Sequence, residues 1–170
     1  MQLHLRDVAD TDALGRALAA TQPEHAVVYL HGDLGAGKST IARAWLRALG
    51  IAGAIRSPTY TLVEQYPLAL GGLAIHLDLY RVAAAAELEF LALDDADARL
   101  WLVEWPERGA GGLPEADLSI DLEWAGEGRD ALLTGGSASG RAWLTRLTGM
   151  AACEPFLHGD HRNTLQPSDN

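Results

Sequence analysis

The chain has 170 residues, 48% hydrophobic and 21% charged, the proportions of one globular domain with a real core. Its net charge of −10 argues against an unaided grip on nucleic acid, because a phosphate backbone is held mainly by lysine and arginine. One cysteine, Cys153, excludes an internal disulfide, no apolar stretch reaches the ~20 residues of a bilayer span, and the opening MQLHLRD lacks a secretory pattern, so a cytoplasmic protein with no membrane attachment is expected. In chain order, QLHLR (2–6) reads as a short strand. Asp10 or Thr11 is placed to cap a helix running to about Ala20, with Leu14 and Leu18 at helical spacing. HAVVYLH (25–31) is a short buried strand, followed by a glycine-rich loop. A second helix starts near Lys38, presents Ile41, Trp45, Ala48 and Leu49 on one face, and stops at Gly50.

Pro58 disfavours helix at Ser57, so IRSPT is a loop leading into a strand at about 60–66. LAIHLDLY (73–80) is a strand with Leu73, Ile75, Leu77 and Leu79 on one face and His76, Asp78 and Tyr80 on the other. AAAAELEFLAL (83–93) reads as helix, and LWLVEW (100–105) as a strand ending at Pro106. DLSIDLEW (117–124) alternates polar and apolar, AGEG turns it, and RDALLT returns as a hairpin partner. A last helix covers 137–147. This order predicts an α/β fold: a three-layer domain whose mixed sheet is parallel in the centre and ends in an antiparallel edge hairpin. One domain over 1–148 is expected, followed by a polar, poorly ordered tail at 149–170.

Gly32-Asp33-Leu34-Gly35-Ala36-Gly37-Lys38-Ser39, followed by Thr40, fits G-x-x-x-x-G-K-[ST] between a predicted strand and a predicted helix. Glycines let the loop aim its N–H groups at phosphate oxygens, and the helix start adds its positive end. Lys38 supplies the counter-charge and Ser39 a hydroxyl for Mg²⁺. Lys38 is also the only lysine among 13 Lys and Arg residues. A compact ammonium fits a tight loop where a planar guanidinium does not. Asp78 and Glu104 each end an apolar strand, where α/β sheets place ligand contacts. Spacing leaves open which of the two serves a metal. Ser57-Pro58-Thr59 occupies the place of a phosphate-sensing loop, or of a plain Ser-Pro turn. Trp105 could pack on a ligand, on a partner or in the core, and His31 and His76 read as structural. These residues point to a small Mg·ATP- or Mg·GTP-binding domain of P-loop NTPase fold that hydrolyses its nucleotide.

Four segments, GDLGAGKST, SPTYTLVEQY, HLDLYRV and LVEWPERG, resemble in order and separation the bacterial TsaE family, the small ATPase of tRNA threonylcarbamoyladenosine (t6A) biosynthesis. The resemblance covers roughly residues 5–147. It implies an ATP- and Mg²⁺-binding protein, slow alone, that works with a TsaD–TsaB pair and meets tRNA only through it. TsaD transfers threonylcarbamoyl to adenosine 37, and the small ATPase lets the cycle turn over. By position, Gly32 to Gly37 and Lys38 match the phosphate loop. Ser39 and Glu104 match the Mg²⁺ ligands, and Asp78 the acid near the attacking water. Thr59 matches the switch threonine and Trp105 the tryptophan beside the site. Thr11 and Arg129 match further nucleotide contacts. Ser39 replaces the family's usual threonine, Tyr60 a phenylalanine, and His31 a frequent glutamate or other polar residue. Two other readings fit a P-loop. A small-molecule kinase needs an arginine-rich lid, of which Arg81 is the single candidate. A non-catalytic ATP-binding regulatory module has no need of both Asp78 and Glu104.

Overall fold

Short aliphatic runs form seven strands in the computed structural model, which describes residues 1–83, 86–88 and 97–150. They are β1 (Gln2–Leu5), β2 (Ala26–Gly32), β3 (Val63–Pro67), β4 (Leu73–Asp78), β5 (Ala98–Glu104), β6 (Leu118–Ala125) and β7 (Gly128–Gly135). One sheet holds them all in the order β1-β7-β6-β2-β5-β4-β3. The central neighbours β6, β2, β5 and β4 run parallel. The expected hairpin is β6–β7, but β1 pairs outside it and forms that edge, and antiparallel β3 forms the other. The chain is thus an α/β protein with a mixed sheet.

Among the described residues three α-helices, α1 (Val8–Thr21), α2 (Lys38–Ala48) and α3 (Ala138–Thr148), pack over one face. The period-two pattern of the strands splits the core. Val28, Leu30, Leu100 and Leu102 join Leu14, Ile41, Trp45 and Trp143 on the helix side. Ile75, Leu77 and Val103 meet Leu79, Val82 and Leu88 on the other. Gly15 lets α1 approach α2: a Cβ there would sit 2.8 Å from Ala44 Cβ and from Ile41 O. Trp45 meets Trp143 edge to face at 5.4 Å, an arrangement worth roughly 0.5–1.5 kcal/mol beyond burial.

Some boundaries differ from the sequence expectation. The cap of α1 is Asp7, not Asp10 or Thr11, and its side chain accepts from Asp10 N at 2.9 Å. Residues 60–62 belong to a turn, with Leu62 at φ 64°, so β3 starts only at Val63. The helix expected at 83–93 falls largely outside the described residues, and Ala86, Glu87 and Leu88 form a 3-10 turn. The tail from 151 onward also lies outside them.

Asp10 is free of the capping task because Arg6 holds it. Arg6 Nε donates to Oδ2 at 2.7 Å, Nη2 to Oδ1 at 2.9 Å, and Arg6 N to Oδ2 at 3.0 Å. The side-chain bond from Arg6 lowers the Asp10 pKa below its ordinary 3.8, against the opposing effect of burial. A lowered carboxyl stabilises the fold above its unfolded value and loses that contribution as pH falls through its folded one. Asp10→Asn is therefore expected to lower the urea midpoint modestly at neutral pH, with the gap to the parent closing as pH drops below 3.8. A gap that stays constant down through that range would contradict this assignment.

Candidate nucleotide-binding site

Three parallel strands deliver the site. β2 leads into the loop Gly32–Gly37, and α2 begins at Lys38. β5 ends at Glu104 and β4 at Asp78, and the register sets Glu104 opposite both Leu30 and Asp78. Both carboxylates therefore lie at the level of the loop, buried at 2% and 4% exposure. The loop needs its glycines. Gly32, Gly35 and Gly37 have φ of 129°, 81° and 114°, where a side chain is strained. A Cβ on Gly32 would also come within 2.4 Å of Leu122 O. Gly32→Ala is expected to destabilise the protein by about 1–3 kcal/mol, read as a lower unfolding midpoint. An unchanged midpoint would show that the loop relaxes freely.

A cavity of about 250 Å³ opens above the loop, lined among others by Lys38, Ser39, Thr59, Asp78, Glu104 and Trp105. Lys38 Nζ donates to Gly32 O at 2.6 Å and Asp33 O at 2.9 Å, and lies 4.1 Å from the Trp105 ring centre. Burial pulls its pKa below the ordinary value, and the charges of Glu104, Asp78, Glu107 and Asp33 partly oppose that pull. Ser39 Oγ donates to Glu104 Oε2 at 2.9 Å, while Oε1 lies 2.8 Å from His76 Nε2. Thr59 Oγ1 donates to Asp78 Oδ2 at 2.6 Å, and Tyr80 N to Oδ1 at 3.1 Å. The Ser57-Pro58-Thr59 loop is thus tied to the end of β4. Trp105 takes φ 59°, a conformation rare outside glycine, as the chain leaves β5 for a 3-10 turn at Pro106–Gly109.

On the other flank of the loop, Arg129 from β7 donates to Thr11 Oγ1 at 3.0 Å. Its guanidinium carbon lies 4.9 Å from the Trp124 ring centre. A Cβ on Gly37 would lie 3.5 Å from Thr11 Cγ2 and 3.5 Å from Arg129 Cδ, so the loop runs directly against this pair. Hydroxyl and carboxylate oxygens at Ser39 and Glu104 are the hard donors that suit Mg²⁺. Among the described residues no group of three or more His, Cys, Asp or Glu forms a cluster able to hold a metal. A cation at Ser39 and Glu104 would draw its remaining oxygens from phosphate and water.

The family model described as threonylcarbamoyl adenosine biosynthesis protein TsaE matches residues 5–131. This chain belongs to the TsaE family. It is 47% identical over 107 residues to the tRNA threonylcarbamoyladenosine biosynthesis protein TsaE of Haemophilus influenzae, covering 61% of this chain and 66% of that one. The Streptomyces coelicolor protein of the same name is 35% identical over 140 residues, covering 78% of this chain and 93% of its own length. The crystal structure of Bacillus subtilis YdiB superposes with a TM-score of 0.72 at 26% identity, covering 87% and 93% of the two chains. That likeness fits a P-loop NTPase-like fold.

Within this TsaE-family fold, the residues singled out in the sequence divide into three groups. Leu34, Gly35, Gly37, Lys38, Ser39, Thr40, Thr59, Asp78, Glu104 and Trp105 line one cavity. Thr11 and Arg129 sit together behind the loop rather than in that cavity. Gly32 ends β2, Asp33 lends its carbonyl to Lys38, and Ala36 turns into the core at 1% exposure. Two lining residues, Arg43 and Tyr80, were not singled out. Tyr80 shares the alternation of Asp78 and packs 5.1 Å from Trp105, so the period-two pattern alone could have flagged it. Arg43 lies five residues past Lys38 on α2 and carries no such signal. Among the described residues no helix is long and apolar enough to cross a membrane.

Proposed function

We propose that this chain is the Mg²⁺-dependent ATPase that supports repeated threonylcarbamoylation of tRNA adenosine 37 by a TsaD–TsaB complex in the cytoplasm. One observation carries the reading: Ser39 Oγ and Glu104 Oε2 meet at 2.9 Å at the mouth of a glycine loop whose lysine is buried beside them. A hydroxyl and an ammonium from the start of α2 and a carboxylate from the end of β5, held together, form a site for a metal-bound phosphate chain. Membership of the TsaE family supplies the pathway.

The chain's own groups divide the work. Backbone N–H groups of the loop and the start of α2 hold phosphate oxygens. Lys38 would exchange its bonds to the Gly32 and Asp33 carbonyls for phosphate, neutralising charge that builds on the leaving oxygens. Ser39 and Glu104 would hold Mg²⁺, which when bound screens the phosphate charges. Asp78, whose carboxylate accepts from Thr59, would orient a water and take its proton as general base. Trp105 walls the site over Lys38, and Thr11 and Arg129 are proposed contacts to the nucleotide beside the loop. The acidic composition fits a subunit that leaves the grip on tRNA to its partners.

The test is ATP turnover by the purified chain, alone and with a TsaD–TsaB pair from the same source, with and without tRNA. Slow turnover alone, stimulation by the pair and multiple rounds of transfer are expected. Turnover indifferent to the pair would leave an ATPase with another partner, and ATP consumption only with a small hydroxylated acceptor would turn the reading to a kinase.

A further inference from the structure

A buried imidazole stands behind the carboxylate that meets Ser39. His76 lies on β4 two residues before Asp78, so both side chains leave the same face of the strand. Its exposure is 0%. Nε2 lies 2.8 Å from Glu104 Oε1, and among the described residues Nδ1 has no hydrogen-bond partner and Glu104 is the ring's single one. Burying a polar ring with one nitrogen unpaired is unfavourable where an aliphatic side chain would pack in its place. The contact with Glu104 is what offsets that penalty.

We infer that His76 is the positioning residue for Glu104: it fixes Oε1 through the Nε2–H donor and so leaves Oε2 alone to face Ser39 and a bound divalent cation. The inference rests on the ATPase reading above. Two opposed contacts, His76 on one oxygen and Ser39 on the other, fix the rotation of the carboxylate plane about its stem. A carboxylate held this way offers one oxygen in one direction, and it cannot swing to offer both. Mg²⁺ demands near-octahedral geometry, so this orientation matters more for it than for a larger, more tolerant cation. Partners that orient a metal ligand typically contribute 10–100-fold to metal affinity.

The experiment is a titration of a fluorescent ATP analogue against the purified full chain at a series of Mg²⁺ concentrations, and again in EDTA. His76→Leu removes the donor while filling the space. It is expected to raise the Mg²⁺ concentration needed for half-maximal enhancement of binding by about 10-fold or more, while affinity in EDTA stays within about 2-fold of the parent. His76→Gln places an amide N–H near the position of Nε2 and is expected to recover most of that loss. Equal losses with and without Mg²⁺ in His76→Leu would reduce the ring to a packing role and overturn the inference, as would an unshifted Mg²⁺ response. If His76→Leu does not fold, His76→Gln decides: a Mg²⁺ response near the parent's supports the positioning role, and one shifted by 10-fold or more overturns it. A parent protein whose nucleotide binding ignores Mg²⁺ altogether would overturn the ATPase reading itself, and this inference with it.

Discussion

Replacing Lys38 with alanine is expected to weaken ATP binding at least about 100-fold and to abolish turnover. Lys38 is 4% exposed, and it is the chain's single lysine. Removing one preorganised donor from such a site typically costs about 2.7–4 kcal/mol, the equivalent of roughly 10²–10³ in rate. Lys38→Arg is expected to fail nearly as badly. Gly32 and Asp33 carbonyls at 2.6 and 2.9 Å and the Trp105 ring at 4.1 Å leave room for a compact head and not for a planar fork. Calorimetric ATP titration and a turnover assay check both variants, with an unfolding curve to show that the fold survives. Parent-like affinity and turnover in Lys38→Ala would sink the nucleotide assignment.

Glu104→Ala separates binding from chemistry. Ser39 and Lys38 remain, so ATP binding in EDTA is expected to stay within a few-fold of the parent. Mg²⁺-stimulated turnover is expected to fall by about 100-fold, in the range found when a group acting on developing charge is lost. The variant also removes the group that both Ser39 and His76 contact, so its defect should exceed that of His76→Leu. Turnover at the parent rate would move the metal role to Asp78, whose Oδ2 is committed to Thr59 and whose Oδ1 accepts from Tyr80 N.

The loop, its lysine and the two strand-end carboxylates were legible in the sequence because each depends on local spacing. Gly32 to Ser39 is one continuous motif, and Asp78 and Glu104 each close an apolar run. What could not be read depends on register. Nothing in the order of residues shows that β4 and β5 are neighbours with Asp78 opposite Glu104, and so that His76 reaches the same carboxylate. Thr11 and Arg129 lie 118 positions apart, and their bond follows from β1 pairing with β7. The cap of α1 failed for another reason. Asp7, Asp10 and Thr11 are all competent caps, and the choice is made by Arg6 capturing Asp10. At β3, the turn through Leu62 postponed a strand whose composition suited pairing from Tyr60.

The solitary lysine has a use outside the role proposed for it at the site. A lysine-specific endoprotease has one cleavage point here, the Lys38–Ser39 bond, and that bond lies in the first turn of α2. A helical backbone must open before a protease can engage it. When opening and closing are fast relative to cutting, the cutting rate tracks the population of the opened form. One band on a gel would then report how often the start of α2 comes apart. Resistance gained on adding ATP and Mg²⁺ would gauge, in the same lane, how firmly they hold it shut.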